Sequence, residues 1–159
     1  MMDTLLGLVD GLKPEELLPD LEMLLSKLAG LARIAVLIGP VALLFFGLVY
    51  LFLAPKEANH TFGFRCWWGM GSVEVWQFTQ KLSGIFWAAM GLILGLIAFL
   101  SGNKYAAMGY EEMLFGAAKL IVWQIVSVLV SIVIINLVII VLFNHRGEPR
   151  FAKTQRTKI

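Results

Sequence analysis

The chain has 159 residues, of which 59% are hydrophobic and only 15% are charged. Soluble domains are about half apolar with about a quarter of their residues charged, so this composition excludes an ordinary water-soluble fold. The net charge of +2 does not indicate a direct nucleic-acid partner, because the charges are segregated into the first third and the last sixteen residues.

Residues 1–33 are interrupted by charges every few positions and are predicted to form one or two amphipathic helices. Apolar residues recur there at helical spacing: Leu5, Leu8, Val9, Leu12, Leu17, Leu21, Leu24, Leu25 and Leu28. The segment either lies on the membrane surface or packs against its own protein or a neighbouring subunit. Its acidic start lacks the positive region of a cleavable signal peptide, so we expect the first apolar run to be retained as an anchor.

Three long apolar runs follow, at about 34–53, 82–100 and 120–143. Each is about twenty residues long, which is enough for a helix to cross a hydrocarbon core of about 30 Å. The Gly39-Pro40 pair predicts a kink in the first span. The predicted fold is an all-α membrane protein with three transmembrane helices, preceded by the amphipathic segment and followed by a basic tail at 144–159.

The distribution of lysine and arginine predicts how the spans are oriented. With three spans, the long loop at 54–81 and the tail lie on the same side of the membrane. Together they carry eight lysine and arginine residues, whereas the segments on the opposite side carry four. The sequence therefore predicts a multi-pass protein with its N-terminus outside the cell. The loop and the C-terminal tail are predicted to be cytoplasmic.

Small residues line one face of the second span: Gly84, Ala88, Gly91 and Gly95. They share a face because they recur at intervals of three or four residues. In lipid, the close approach of two helix backbones stabilises helix association. The stripe therefore predicts helix packing, either within one chain or as a seam between copies in a homo-oligomer.

Uncharged polar residues recur in the third span: Gln124, Ser127 and Ser131. Such groups usually point into a helix bundle and bond across helices. We interpret them as structural hydrogen-bonding groups or, alternatively, as the lining of a polar path for a substrate. Since three helices are too few to enclose a pore, the second interpretation requires oligomerisation.

The loop between the first two spans is rich in aromatic residues and glycine. It holds three of the five tryptophans, at positions 67, 68 and 76, together with Gly63, Gly69 and Gly71. Because tryptophan favours the membrane interface and glycine allows tight turns, we expect residues 59–71 to form a compact loop at headgroup depth. Ser72 is a candidate N-cap for a helix that continues into the second span.

Arg65 is the main candidate binding residue of this loop. Its guanidinium is expected to hold a lipid phosphate or, alternatively, to bond loop carbonyls and the carboxylate of Glu74. Trp68 or Trp76 is a candidate to stack on the guanidinium. If Arg65 bonds only to its own protein, its role is to hold the loop in its shape.

No catalytic site, metal site or cofactor is expected. The single Cys66 excludes an intramolecular disulfide, and no Cys/His spacing is typical of a metal site. A catalytic pair of His60 and Cys66 would lack an orienting third group. The sequence therefore predicts a protein that is not an enzyme.

The same loop resembles the signature of the SdpI family. The matching pattern is Pro55-Lys56, Asn59, Gly63-Phe64-Arg65, Trp68, Ser72, Val75-Trp76, Thr79 and Gly84. This chain has Cys66, Trp67, Ser72 and Gln80-Lys81 where the family usually has Thr, Pro, Asn and His-Arg. The resemblance covers roughly residues 34–143 and corresponds to the C-terminal three-span half of the family's six-span immunity protein.

This resemblance implies a small bacterial inner-membrane protein that protects against, or senses, a membrane-active toxic peptide. Members of the family are also linked to signalling, because they hold a transcriptional repressor at the membrane. The residues implied in binding or loop organisation are Asn59, Gly63, Arg65, Trp68, Trp76 and Thr79. The expected partners are membrane lipids and either a toxic peptide or a cytoplasmic regulator.

Two alternatives from other classes remain open. One is a transport or lipid-binding subunit, with the loop as a phosphate or headgroup site. The other is an assembly component of a larger membrane complex that docks through residues 1–30.

Overall fold

The computed structural model describes residues 14–59 and 61–151, with side chains from residue 23 onward. Three long helices form this part of the chain: α1 (Pro14–Phe52), α2 (Val73–Gly102) and α3 (Tyr110–Leu142). All three contain stretches long and apolar enough to cross a membrane. The predicted all-α fold with three transmembrane helices is therefore confirmed.

The first helix is longer than the predicted span. It begins at Pro14, where a proline N–H would have no intrahelical partner, and runs unbroken to Phe52 over 39 residues. The predicted boundary at residue 33 lies inside this helix, so the amphipathic part from residue 14 and the first span form one element. The rest of the predicted amphipathic segment, residues 1–13, lies outside the described residues, and the division into separate domains stays a prediction.

The second and third helices also begin before their predicted spans. Ser72 caps α2 as expected, because its hydroxyl oxygen accepts a hydrogen bond of 3.2 Å from the N–H of Val75. A short connection that contains a 3-10 turn at Tyr105–Ala107 joins α2 to α3. At about 1.5 Å per residue, the 33 residues of α3 extend about 50 Å, so its end turns lie beyond the hydrocarbon core.

The glycine stripe of α2 packs against α1. A Cβ atom added at Gly91 would lie 2.6 Å from the backbone nitrogen of Leu44, and one at Gly84 would lie 2.9 Å from that of Leu51. Gly47 of α1 in turn faces the backbone of Ala88. Because this face is occupied within the chain, a seam between copies requires a different face.

A hydrogen bond across the bundle compensates for the proline inside α1. Pro40 has no N–H, so the carbonyl of Val36, four residues earlier, loses its intrahelical donor. The side-chain amide of Gln124 donates to this carbonyl at 2.8 Å. Gly39 makes room for it, since a Cβ atom there would lie 2.6 Å from Gln124 Oε1. The buried Gln124 thus ties α3 to the proline site of α1.

Two apolar clusters lie at opposite ends of the described bundle. The cluster beside the loop contains Phe64, Val75, Ile135, Ile139 and Phe143. The other contains Ala29, Val36, Ala98, Tyr105, Met113 and Ala117. The candidate site is built onto the first cluster.

Candidate functional site

The connection between α1 and α2, residues 53–72, is called the signature loop below. Its main support is Trp76, which lies on the first turn of α2 and is fully buried. The indole N–H of Trp76 donates to the carbonyl oxygen of Pro55 at 2.8 Å. The backbone of Gly63 passes next to this ring, and a Cβ atom at Gly63 would lie 2.9 Å from it. The φ angle of Gly63 is 117°. Both the backbone angle and the close approach therefore require glycine at position 63.

Gln80 holds the middle of the signature loop. Its amide oxygen accepts from the N–H of Phe64, and its amide nitrogen donates to the carbonyl of Phe64, both at 2.8 Å. The side chain is only 2% exposed, so this paired contact is shielded from water. Sequence reasoning noted Gln80 only as a departure from the family's usual histidine and missed this role.

Asn59 shapes the first turn of the signature loop. Its side-chain oxygen accepts hydrogen bonds from the N–H groups of Thr61 and Phe62, at 2.9 and 2.8 Å. This is the local bonding by which asparagine stabilises turns. His60 lies outside the described residues, so the structure gives no geometry for a His60–Cys66 pair.

A 3-10 turn at Trp68–Met70 ends the signature loop. The sulfur of Cys66 accepts a hydrogen bond of 3.2 Å from the N–H of Gly69. Gly69 is packed so tightly that an added Cβ atom would lie 2.6 Å from this sulfur and 2.9 Å from the hydroxyl of Thr79. Burial raises the pKa of the Cys66 thiol, and the N–H of Gly69 opposes this in part. Cys66 and Thr79 therefore act in packing this turn.

The start of the C-terminal tail folds back onto the signature loop. After α3, residues 143–150 form a tight hairpin in which the side-chain oxygen of Asn144 accepts from the N–H groups of Arg146 and Glu148. The hydroxyl of Ser72 donates to the carbonyl of Gly147 at 2.8 Å. This contact places loop and tail at the same end of the bundle. Sequence reasoning treated the tail only as a basic segment and missed the hairpin.

Trp68 does not stack on Arg65. Its ring lies 5.1 Å from the ring of His145 in the tail hairpin. Its indole N–H is buried and finds no acceptor among residues 14–59 and 61–151. Trp76 does not stack on Arg65 either, because its indole N–H bonds the carbonyl of Pro55 and its ring packs against Gly63. Both tryptophans therefore contribute to the interior of the site.

Arg65 lies on the surface of the signature loop, where its side chain is exposed. An arginine that only held the loop in shape would bond loop carbonyls or Glu74, or stack on a tryptophan. Arg65 makes none of these contacts within the described part of the chain. The neighbouring Trp67 is 81% exposed. The sequence marked Trp67 as one of the three loop tryptophans and as a replacement for the family's usual proline, but not as a candidate binding residue.

The three polar residues that the sequence singles out in α3 are each hydrogen-bonded. Gln124 bonds α1 as described, and Ser127 bonds the carbonyl of Trp123 in its own helix at 2.8 Å. The hydroxyl of Ser131 donates to its own helix and accepts from the indole N–H of Trp87 at 3.1 Å. These bonds fit the structural interpretation of the three residues better than a polar path.

The signature loop and the apolar helices that follow it match a known protein family. The SdpI/YfhL protein family matches residues 56–143, which is more than half of the chain. The chain belongs to this family. The match begins in the signature loop and ends one residue after α3, so it includes α2 and α3 and leaves α1 outside.

The expected family is therefore confirmed, and this SdpI-family chain is a multi-pass membrane protein by the length and composition of its helices. No curated protein and no solved structure matches the chain.

Proposed function

We propose that this SdpI-family protein is not an enzyme and that it protects against, or senses, a membrane-active toxic peptide through its signature loop. The observation that carries the proposal is that the residues of the signature loop and of the first turns of α2 divide into two groups. Asn59, Gly63, Trp76 and Thr79 are used up in building the loop, together with Gln80. Arg65 and Trp67 remain on its surface.

The exposed pair has the chemistry of a peptide-binding site at a membrane interface. A guanidinium binds carboxylates with two parallel hydrogen bonds, and an indole covers apolar side chains while tolerating water at its edge. Because Arg65 makes no hydrogen bond within the described residues, a ligand would not have to break one. Arginine and tryptophan are also the residue types most enriched among binding hot spots.

The bonded scaffold supports this proposal through its rigidity. Trp76, Gln80 and the Ser72–Gly147 contact anchor the signature loop at its start, its middle and its end. A loop already held in one conformation loses less entropy when it binds a partner. Arg65 and Trp67 are thus presented on a preorganised surface, as a binding site requires.

We further propose that the protein lies in the bacterial cytoplasmic membrane with the signature loop and the tail inside. The support is the excess of lysine and arginine at this end of the bundle. Trp67→Cys in a Cys66→Ser background places one thiol at an exposed position. A membrane-impermeant maleimide should label it only after the cells are opened, and labelling in intact cells would reverse the orientation.

Protection is tested in a strain that lacks the gene, challenged with culture supernatants of related bacteria. The wild-type chain should restore survival and Arg65→Ala should not, while the protein remains at normal abundance because Arg65 supports no other residue. Lys56→Ala is the matched control, since it removes an exposed positive charge from the same loop. Unchanged killing on deletion, or full protection by Arg65→Ala, would count against the proposal.

A further inference from the structure

A narrow apolar fissure separates α2 from α3. Its volume is about 250 Å³, and the residues that line it are Leu94, Ile97, Gly116, Lys119, Leu120, Trp123, Gln124 and Ser127. Gln124 and Ser127 in this lining already have hydrogen-bond partners within the chain, which leaves Lys119 and the indole of the exposed Trp123 as its other polar groups. Since most of the lining is apolar, a space of this kind at membrane depth favours an apolar occupant over water.

Lys119 gives this fissure a positive edge. It lies nine residues after the start of α3, about 14 Å along the helix axis, at the end of the bundle opposite the signature loop. From this depth a lysine reaches the headgroup region by extending its side chain along the helix. The nearest carboxylate on the same helix face belongs to Glu112, two turns earlier and about 10 Å away along the axis.

The fissure runs from Lys119 towards the middle of the bilayer. Trp123 and Ser127 follow Lys119 at steps of one turn each, so the lining extends about 12 Å along α3. We propose that this fissure binds an anionic phospholipid, with its phosphate at Lys119 and one acyl chain between α2 and α3. The cation at the headgroup end and the apolar lining below it match the two parts of such a lipid.

A second fissure in the same molecule serves as an internal comparison. It lies between α1 and α3, has a volume of about 410 Å³ and carries no charged residue in its lining. It therefore offers space for an acyl chain but no partner for a particular headgroup. Only the α2–α3 fissure is expected to distinguish lipids by charge.

Headgroup selectivity is tested by native mass spectrometry of the full chain in detergent, with phosphatidylglycerol and phosphatidylcholine of equal chain length. One favourable lysine corresponds to about a fivefold preference for the anionic lipid. Lys119→Gln should abolish the preference, and Lys119→Arg should retain it. Lys104→Gln is the matched control, because Lys104 is an exposed lysine at the same end of the bundle outside the fissure.

The acyl-chain contact is tested by filling each fissure in turn. Ser127→Leu should lower the retention of phosphatidylglycerol, whereas Ala35→Leu, which fills the α1–α3 fissure, should leave the charge preference intact. Circular dichroism in the helical region identifies any variant that fails to fold. If Lys119→Gln fails to fold, the lipid preference of Lys119→Arg is compared with that of the wild type instead.

Three results would overturn the proposal. The first is equal retention of the two lipids by the wild type, and the second is an unchanged preference in Lys119→Gln. The third is a lipid-free dimer that disappears in Ser127→Leu, because a second copy of the chain would then occupy the fissure.

Discussion

Replacing Gln80 with leucine should release the signature loop while leaving the helices in place. The two hydrogen bonds of Gln80, both of 2.8 Å, satisfy the N–H and the carbonyl of buried Phe64. A buried backbone group left without a partner costs about 1–3 kcal/mol. Since the loop escapes part of this cost by opening to water, we expect the free energy of loop opening to fall by about 2 kcal/mol.

Hydrogen exchange at the amide of Phe64 measures this opening directly, because Gln80 protects that N–H. A fall of about 2 kcal/mol corresponds to exchange about thirtyfold faster. Gln77→Leu is the matched control on the same helix: its side chain makes one exposed hydrogen bond of 3.1 Å, to the carbonyl of Lys56. Water replaces an exposed bond, so exchange at Phe64 should change by no more than about twofold.

Two results would refute this reasoning. Unchanged protection of Phe64 in Gln80→Leu would mean that other contacts hold the loop. An equal loss of protection in Gln77→Leu would mean that the burial of the Gln80 amide is not what matters. Either result would also weaken the proposed function, which relies on a loop held in one conformation.

Three further predictions concern helix packing and the loop thiol. Gln124→Leu should destabilise the bundle by about 1 kcal/mol, but far less in a Pro40→Ala background where α1 regains its own donor; unfolding in mixed micelles measures this cycle, and strictly additive effects would contradict it. Gly91→Ala places a methyl group 2.6 Å from the backbone of α1 and should lower the free energy of unfolding by about 1–3 kcal/mol. Gly95→Ala, whose added methyl group has its nearest neighbour 3.6 Å away, should be tolerated in the same assay. Equal losses of stability in the two variants would argue against a close approach at Gly91 alone. Because burial raises the pKa of Cys66, maleimide should modify it at pH 8 more slowly than an exposed cysteine and faster as the pH rises, so equal rates at pH 8 would speak against its burial.

The number and type of the membrane helices followed from the sequence alone. A bilayer leaves a spanning chain few options, since every backbone polar group must be bonded within a helix or a closed barrel. Apolar runs of about twenty residues are therefore sufficient to predict three helices. The N-cap at Ser72 is equally local, because an N-cap bonds to an N–H only a few residues further on.

The family and its residue pattern were also visible in the sequence, but the roles of those residues were not. Arg65 was expected either to bind outward or to hold the loop, and only the folded loop shows that its side chain is exposed and makes no hydrogen bond within the described residues. Trp67 was regarded as a departure from the pattern, although it is the most exposed tryptophan of the loop. A pattern marks positions along the chain, whereas exposure depends on what packs against them.

The tertiary structure decided the contacts between residues that are distant in the chain. Phe64 and Gln80 are 16 residues apart, Ser72 and Gly147 are 75 apart, and Val36 and Gln124 are 88 apart. No local periodicity encodes such pairs, because each depends on how distant parts of the chain are placed relative to one another in the fold. The sequence therefore determined that the chain spans the membrane as three helices, while the packing of those helices determined which loop residues are buried and bonded and which are exposed.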